Sequence, residues 1–110
     1  MPYSLTVSAD FDAAHRIAGY DGPCVNMHGH TWRVQATWTF DALDDLGMGA
    51  DFKVLKQRLK AILPDHQVLN DVLPFNPTAE NIAQWLCTEL GAVRVCVWEG
   101  KDTCAEFARG

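Results

Sequence analysis

Residues 3–15 read YSLTVSADFDAAH, and residues 28–40 read HGHTWRVQATWTF. In both stretches apolar and polar side chains alternate, which is typical of a strand that buries one face. The pattern predicts two strands, over about residues 3–14 and 29–40, joined by a loop that contains glycine and proline. His15, His28 and His30 fall in register with the apolar positions, so we expect all three imidazoles to point to the buried face.

Three histidines on one apolar face favour a metal site over histidines that only fill the core. A lone inward histidine usually bonds a main-chain group, whereas three that can converge form a ligand set. His28-Gly29-His30 is the strongest local motif, because residues two apart on a strand share a face. Three imidazoles leave the fourth tetrahedral position of Zn²⁺ open, as in a catalytic zinc site. We therefore predict Zn²⁺ bound by His15, His28 and His30.

Length and composition limit the class of protein. The 110 residues, 48% of them hydrophobic, are enough for one domain spanning 1–110. No run approaches the ~20 apolar residues that a membrane span needs. The N-terminus lacks a secretory pattern, so we expect a cytoplasmic protein whose four cysteines are reduced. A net charge of −5 argues against non-specific binding of nucleic acid.

The rest of the chain predicts two helices followed by two strands. An apolar stripe with helical spacing covers 51–62 and ends at Pro64. After a loop over 65–77, Thr78 offers an N-cap for a second helix, which Gly91 ends. Strands are predicted over 92–99 and 103–108. The order ββααββ indicates an α+β domain with a four-stranded antiparallel sheet and two helices on one face. Its exposed sheet edges favour oligomerisation.

Cys24 lies four residues before His28, and three interpretations of it stay open. It is a fourth zinc ligand, a buried cysteine without a role, or a reactive thiolate near the metal. The remaining cysteines have no ligand-like spacing and are interpreted as small core or surface residues; they are Cys87, Cys96 and Cys104.

Asp65 and Glu99 are further carboxylates at positions where catalytic or ligand-binding groups are expected. Asp65 and His66 are adjacent in a predicted loop, where they form either a proton shuttle or a solvated pair. Glu99 continues the apolar face of the third strand, so it either holds a ligand that presents paired N–H donors or turns to solvent. Glu80 is most simply a charge at a helix N-terminus.

Several motifs in order resemble the 6-pyruvoyltetrahydropterin synthase family, and particularly its bacterial 6-carboxytetrahydropterin synthase branch. The resemblance runs nearly end to end. It rests on FDAAHRI (11–17), CVNMHGH (24–30), Asp51-Phe52, Asp65-His66 with Leu69-Asn70, PTAEN (77–81) and Trp98-Glu99.

The resemblance implies a tunnelling fold, in which the sheets of several subunits join into a barrel, often in a hexamer with sites between subunits. It implies zinc on the three histidines, proton transfer by Cys24 with Asp65 and His66, and pterin binding by Glu99 with help from Thr78.

The substrate implied by the resemblance is 7,8-dihydroneopterin triphosphate. The implied products are 6-carboxy-5,6,7,8-tetrahydropterin, acetaldehyde and triphosphate, in the biosynthesis of queuosine and other 7-deazapurines. Arg16, Arg33 and Lys53 are the nearest candidates for the triphosphate. A synthase that forms the 6-pyruvoyl product and a non-catalytic pterin- or zinc-binding oligomer also stay open. Cys24 disfavours the branch that has Glu at this position and makes a folate precursor.

Overall fold

The structure is a computed structural model that describes residues 1–109. Its strands and α-helices are, in chain order, β1 (Tyr3–His15), β2 (His28–Phe40), α1 (Phe52–Ile62), β3 (Gln67–Val68), α2 (Leu69–Val72), α3 (Ala79–Leu90), β4 (Arg94–Glu99) and β5 (Cys104–Ala108). A single 3₁₀ turn, Pro23–Val25, interrupts the loop between β1 and β2. No helix within residues 1–109 is long and apolar enough to cross a membrane.

The five strands form one sheet in the order β3-β1-β2-β4-β5. β1 and β2 pair antiparallel along their whole length, from Tyr3 opposite Phe40 to His15 opposite His28. β4 pairs antiparallel with both β2 and β5. The four predicted strands and their antiparallel pairing are thereby confirmed, with boundaries shifted by one or two residues.

The prediction of a four-stranded, purely antiparallel sheet was wrong in one respect. β3 is a fifth strand, parallel to β1 and opposite Ala13 and Ala14, which makes the sheet mixed. Together with α2 it occupies part of the segment 65–77 that was predicted to be a loop. A strand of two residues has no periodicity to detect. It forms because main-chain groups far apart in sequence meet, as in the bond from His66 N to Asp12 O (2.6 Å).

Two helices cover the apolar face of the sheet, as predicted. α1 packs on β1, and α3 packs on β4 and β5. The side chains of Trp32, Leu59 and Ile82 meet there with no exposed surface. On the opposite face, β1 and β2 present serine, threonine, aspartate and arginine side chains. This arrangement directs the alternating apolar positions of β1 and β2, and the three histidines in register with them, toward the helices.

The helix ends are fixed by the signals that the sequence contains. The Asp51 side chain accepts a hydrogen bond from Lys53 N and caps α1. The Thr78 hydroxyl accepts one from Asn81 N (3.1 Å) and caps α3. Gly91 ends α3 in the left-handed conformation, with φ of 63°, which favours a residue without a side chain.

Replacing Leu59 by alanine tests this core. Leu59 has no exposed surface, so Leu59→Ala should lower the free energy of unfolding by about 2–5 kcal/mol. Leu46, which is 83% exposed, provides the matched control, and Leu46→Ala should change it by less than about 0.5 kcal/mol. Urea unfolding of the two variants measures the difference, and equal midpoints would contradict this packing.

Candidate metal centre and active site

Four side chains converge where β1, β2 and β4 meet. They are His15, His28, His30 and Glu99, whose ligand atoms all lie within 4.8 Å of one another. The strand register causes this convergence: His15 stands opposite His28, Ala13 stands opposite His30, and Glu99 stands opposite Trp32. His15 is fully buried and the other two histidines are partly buried. The three histidines predicted from alternation therefore meet on one face.

Main-chain carbonyls fix the orientation of two of these rings. His15 Nδ1 lies 2.7 Å from Pro77 O, and His28 Nδ1 lies 2.7 Å from Asn26 O. A carbonyl only accepts, so in both rings Nδ1 carries the proton and donates it. In the neutral ring Nε2 then keeps its lone pair, which is the form that binds a metal.

Two imidazole nitrogen atoms without hydrogen-bond partners indicate that this cluster is suited to a metal ion. Within residues 1–109, His15 Nε2 and His30 Nε2 are buried and have no hydrogen-bond partner. Glu99 Oε1 is 2.9 Å from His30 Nε2 and 3.5 Å from His15 Nε2, but it does not complete a hydrogen bond with either. Buried polar atoms without partners are rare in proteins. A divalent cation such as zinc, which prefers imidazole nitrogen, would satisfy them, so the residues fit the metal.

Burial also favours the metal-binding form of His30. Desolvation by burial lowers the pKa of His30 below its ordinary value, and the charges of His15 and His28 act in the same direction. The Glu99 carboxylate opposes this effect without reversing it. A lowered pKa keeps the imidazole neutral near pH 7, and a neutral imidazole is a metal ligand.

Cys24 lies outside both clusters of potential metal ligands. It is half-buried in the 3₁₀ turn that precedes β2, and its main-chain carbonyl accepts a hydrogen bond from Ile17 N (2.7 Å). Among the described residues, no cysteine sulfur belongs to a group of three or more close potential metal ligands. This geometry does not favour Cys24 as a fourth metal ligand.

The side chains of Asp65 and His66 contact each other, which sequence adjacency alone did not decide. His66 Nδ1 lies 3.0 Å from Asp65 Oδ2, and His66 adopts a positive φ of 57°. Asp12 N donates to Asp65 Oδ1 (2.9 Å). That hydrogen bond, with help from His66, holds the pKa of the Asp65 carboxyl below its usual value. Asp65 is therefore a carboxylate that orients His66, as a proton relay requires.

Within one chain, the Asp65–His66 pair and the three histidines belong to two separate clusters. It clusters with the carboxylate of Asp12, which is an exposed residue on the polar face of β1. His15, on the same strand, faces the helices. The sheet therefore separates the predicted relay from the predicted metal ligands. Asp12 was not predicted as a site residue. The alternation in β1 did predict that its side chain lies on the polar face, near the end of the strand.

The remaining predicted site residues fall in two places. Thr78 caps α3 directly after Pro77, the residue whose carbonyl holds His15. Arg33 lies on the polar face and pairs with Asp10 at 3.2 Å. Arg16 is exposed directly after β1, and Lys53 is in the first turn of α1. Of the three candidates for the triphosphate, Arg33 and Lys53 line two different cavities.

A family model described as 6-pyruvoyl tetrahydropterin synthase matches residues 4–109. The chain belongs to the 6-pyruvoyl tetrahydropterin synthase family. The resemblance stated from the sequence motifs is confirmed.

Curated relatives of this family member include proteins with two different names. A 6-carboxy-5,6,7,8-tetrahydropterin synthase of Synechocystis is 36% identical over 90% of this chain and 85% of its own length. The Bacillus subtilis protein of the same name is 35% identical over 96% and 77%. A dihydroneopterin monophosphate aldolase of Pyrococcus furiosus is 32% identical over 93% and 94%.

Solved structures confirm the tunnelling fold of the synthase family. The Caenorhabditis elegans 6-pyruvoyl tetrahydropterin synthase superimposes with a TM-score of 0.86 at 21% identity. The superposition covers 98% of this chain and 96% of that chain. At this identity the likeness concerns the fold alone.

Metal analysis tests the histidine cluster. Purified without chelators, the protein should hold about one Zn²⁺ per chain, and His30→Ala should lose most of it because two imidazoles do not make a tight site. His66→Ala, on the other face of the sheet, is the matched control and should keep its zinc. Mass spectrometry measures the zinc content per chain of the wild type and both variants. Zinc retained by His30→Ala, or lost by His66→Ala, would contradict the assignment.

Proposed function

We propose that the protein is a zinc-dependent 6-carboxytetrahydropterin synthase. It converts 7,8-dihydroneopterin triphosphate and water to 6-carboxy-5,6,7,8-tetrahydropterin, acetaldehyde and triphosphate, a step in queuosine biosynthesis in the cytoplasm. The observation that carries the proposal is the cluster of three histidines, in which the Nε2 atoms of His15 and His30 are buried and unpartnered. The names of the relatives that are 35–36% identical support the choice of reaction.

His15, His28 and His30 hold the metal in this proposal. Zinc held in such an open site would polarise the substrate's side-chain oxygens and make their hydroxyl protons easier to remove. The Pro77 and Asn26 carbonyls keep two of the rings in the required tautomer. The chain thus supplies a rigid, largely desolvated set of nitrogen donors.

Cys24, Asp65 and His66 move protons on the substrate side chain. Cys24 takes and returns a proton as thiolate and thiol, while His66, oriented by Asp65, serves as the partner acid and base. Relocating protons in this way lets triphosphate leave and lets a carbon–carbon bond break.

The sheet that separates the two halves supports a site shared between subunits. Asp65 and His66 lie on the polar face, where they can serve the histidine cluster of a neighbouring copy. The outer edge of β5 also offers free main-chain groups for pairing with another subunit. We propose a homo-oligomer, with a hexamer favoured, in which each site takes its zinc ligands from one subunit and its Asp65–His66 pair from another.

Glu99 and Thr78 bind the pterin in this proposal. The Glu99 carboxylate is 27% exposed and lies at the edge of the histidine cluster, so it can accept hydrogen bonds from a ring N–H and an amino group together. The Thr78 hydroxyl accepts from Asn81 N and keeps its own hydrogen free to donate.

The Pyrococcus relative makes an aldolase the second candidate, because that protein covers nearly the same length at 32% identity. A synthase that forms the 6-pyruvoyl product is a third candidate, and a non-catalytic pterin- or zinc-binding protein is a fourth. The three enzymatic functions predict different products, and the non-catalytic function predicts none.

Product analysis separates these functions. Incubation with 7,8-dihydroneopterin triphosphate should release acetaldehyde and triphosphate in equal amounts, measured by chromatography and mass spectrometry. Triphosphate alone would indicate the 6-pyruvoyl reaction, a two-carbon aldehyde that still carries the phosphate chain would indicate an aldolase, and no product would indicate a binding protein. Cys24→Ala should lower kcat by about 10²–10⁴-fold and retain zinc, because it removes a proton-transfer group and no ligand. Unchanged kcat would exclude the role of Cys24.

Mixing two inactive variants tests the shared site. His30→Ala lacks the metal half and His66→Ala lacks the relay half. Dissociating and reassociating an equal mixture should restore about one quarter of the wild-type activity, because random assembly joins two intact halves at that frequency. Native mass spectrometry confirms that mixed oligomers form. Mixed oligomers without any recovered activity would contradict a site between subunits.

A further inference from the structure

The segment that follows β1 is held like a strand, although no β-ladder among residues 1–109 includes it. The Asn70 side chain bonds both main-chain groups of Arg16: Arg16 N donates to Oδ1 (2.9 Å), and Nδ2 donates to Arg16 O (3.0 Å). The Asn76 side chain does the same for Ala18, with distances of 3.1 and 3.4 Å. Two asparagines thus bind alternate residues of one short segment.

This pattern is that of a strand edge. In an extended chain the N–H and C=O of one residue point to one side, and those of the next residue point to the other side. Arg16 and Ala18 point to the asparagines. Ile17, between them, points the opposite way, and its N–H donates to Cys24 O (2.7 Å). The two amides therefore take the place of a neighbouring strand and hold Ile17 against the turn that carries Cys24.

The asparagines are themselves anchored to the metal-binding region. Asn70 lies in α2, directly after β3. Asn76 O accepts hydrogen bonds from Thr78 N (2.8 Å) and from Asn81 Nδ2 (2.9 Å), at the start of α3. The residue after Asn76 is Pro77, whose carbonyl holds the His15 ring. The stretch Asn76–Pro77 thus holds both the His15 ring and the segment 16–18, which bonds the turn that carries Cys24.

We propose that Asn70 and Asn76 are positioning residues that fix the Cys24 thiol relative to the histidine cluster. Neither amide is free to contact substrate, since each bonds the main chain of the segment 16–18. The loop between β1 and β2 contains two glycines, so without these four hydrogen bonds it would sample many conformations. The functional consequence, though not the clamp itself, rests on the proposed role of Cys24.

The test uses Asn70→Ala and Asn76→Ala in the full chain. Asn70→Asp is the conservative variant: it still accepts from Arg16 N but cannot donate to Arg16 O. Asp71→Ala, at the exposed neighbouring position of α2, is the matched control. Circular dichroism and zinc content show that each variant is folded.

Two measurements need no substrate: the hydrogen exchange rate of the Ile17 amide and the alkylation rate of Cys24 by iodoacetamide. Exposed Cys104 is the internal reference. Cys87 is buried, and burial with the neighbouring Glu106 raises the pKa of Cys96 to about 11, so neither thiol competes at pH 8.

Loss of either clamp should accelerate exchange at Ile17 about tenfold and alkylation of Cys24 about fivefold, because each amide contributes two hydrogen bonds to the closed loop. Asn70→Asp should fall between Asn70→Ala and the wild type, and Asp71→Ala should match the wild type. Rates within twofold of the wild type in both alanine variants would overturn the proposal.

Turnover gives the second readout. Both alanine variants should lower kcat about tenfold and leave KM and zinc content within about twofold, since the pterin and metal contacts are untouched. A normal kcat combined with accelerated exchange would overturn the positioning role. If the wild type turns over no pterin, the proposed function fails, and exchange and alkylation still decide whether the asparagines hold Cys24.

Discussion

The antiparallel register of β1 and β2 is the constraint on which the rest of the structure depends. It places His15 opposite His28 at the end of the ladder and His30 opposite Ala13. Because strand side chains alternate between faces, a shift by one residue would send these rings to the polar side. The long ladder, in which Trp32 and Val34 are fully buried, makes such a shift costly. Burial of the core and assembly of the ligand set are consequently the same event.

The same alternation divides the chemistry of the chain. Odd positions of β1 carry the core and His15, while Asp12, at an even position, binds the turn that holds Asp65 and His66. In the proposed function, a single chain therefore contributes two half-sites on opposite faces of one sheet. That proposal gives a physical reason for assembly, because the polar face of one copy would have to approach the histidines of another to complete a site.

Much of the fold and of the histidine cluster could be predicted from sequence, because both depend on the alternation of apolar residues along strands and on local capping residues. Alternation predicted β1, β2 and the three inward histidines, and Thr78 and Gly91 predicted the ends of α3. The two-residue strand β3 was not accessible, because it forms only when Asp12 and His66 meet from distant parts of the chain. Sequence also left the partner of Glu99 open. Its approach to His30 depends on pairing of β2 with β4, which no local pattern specifies.

An open metal centre of three imidazoles without Cys24 can be recognised by X-ray absorption at the zinc edge of the purified protein, measured without substrate. We expect three imidazole nitrogens at about 2.0–2.1 Å with the remaining position filled by a light atom. A zinc–sulfur distance of about 2.3 Å would contradict this expectation, because Cys24 would then close the site and have no thiol left for proton transfer.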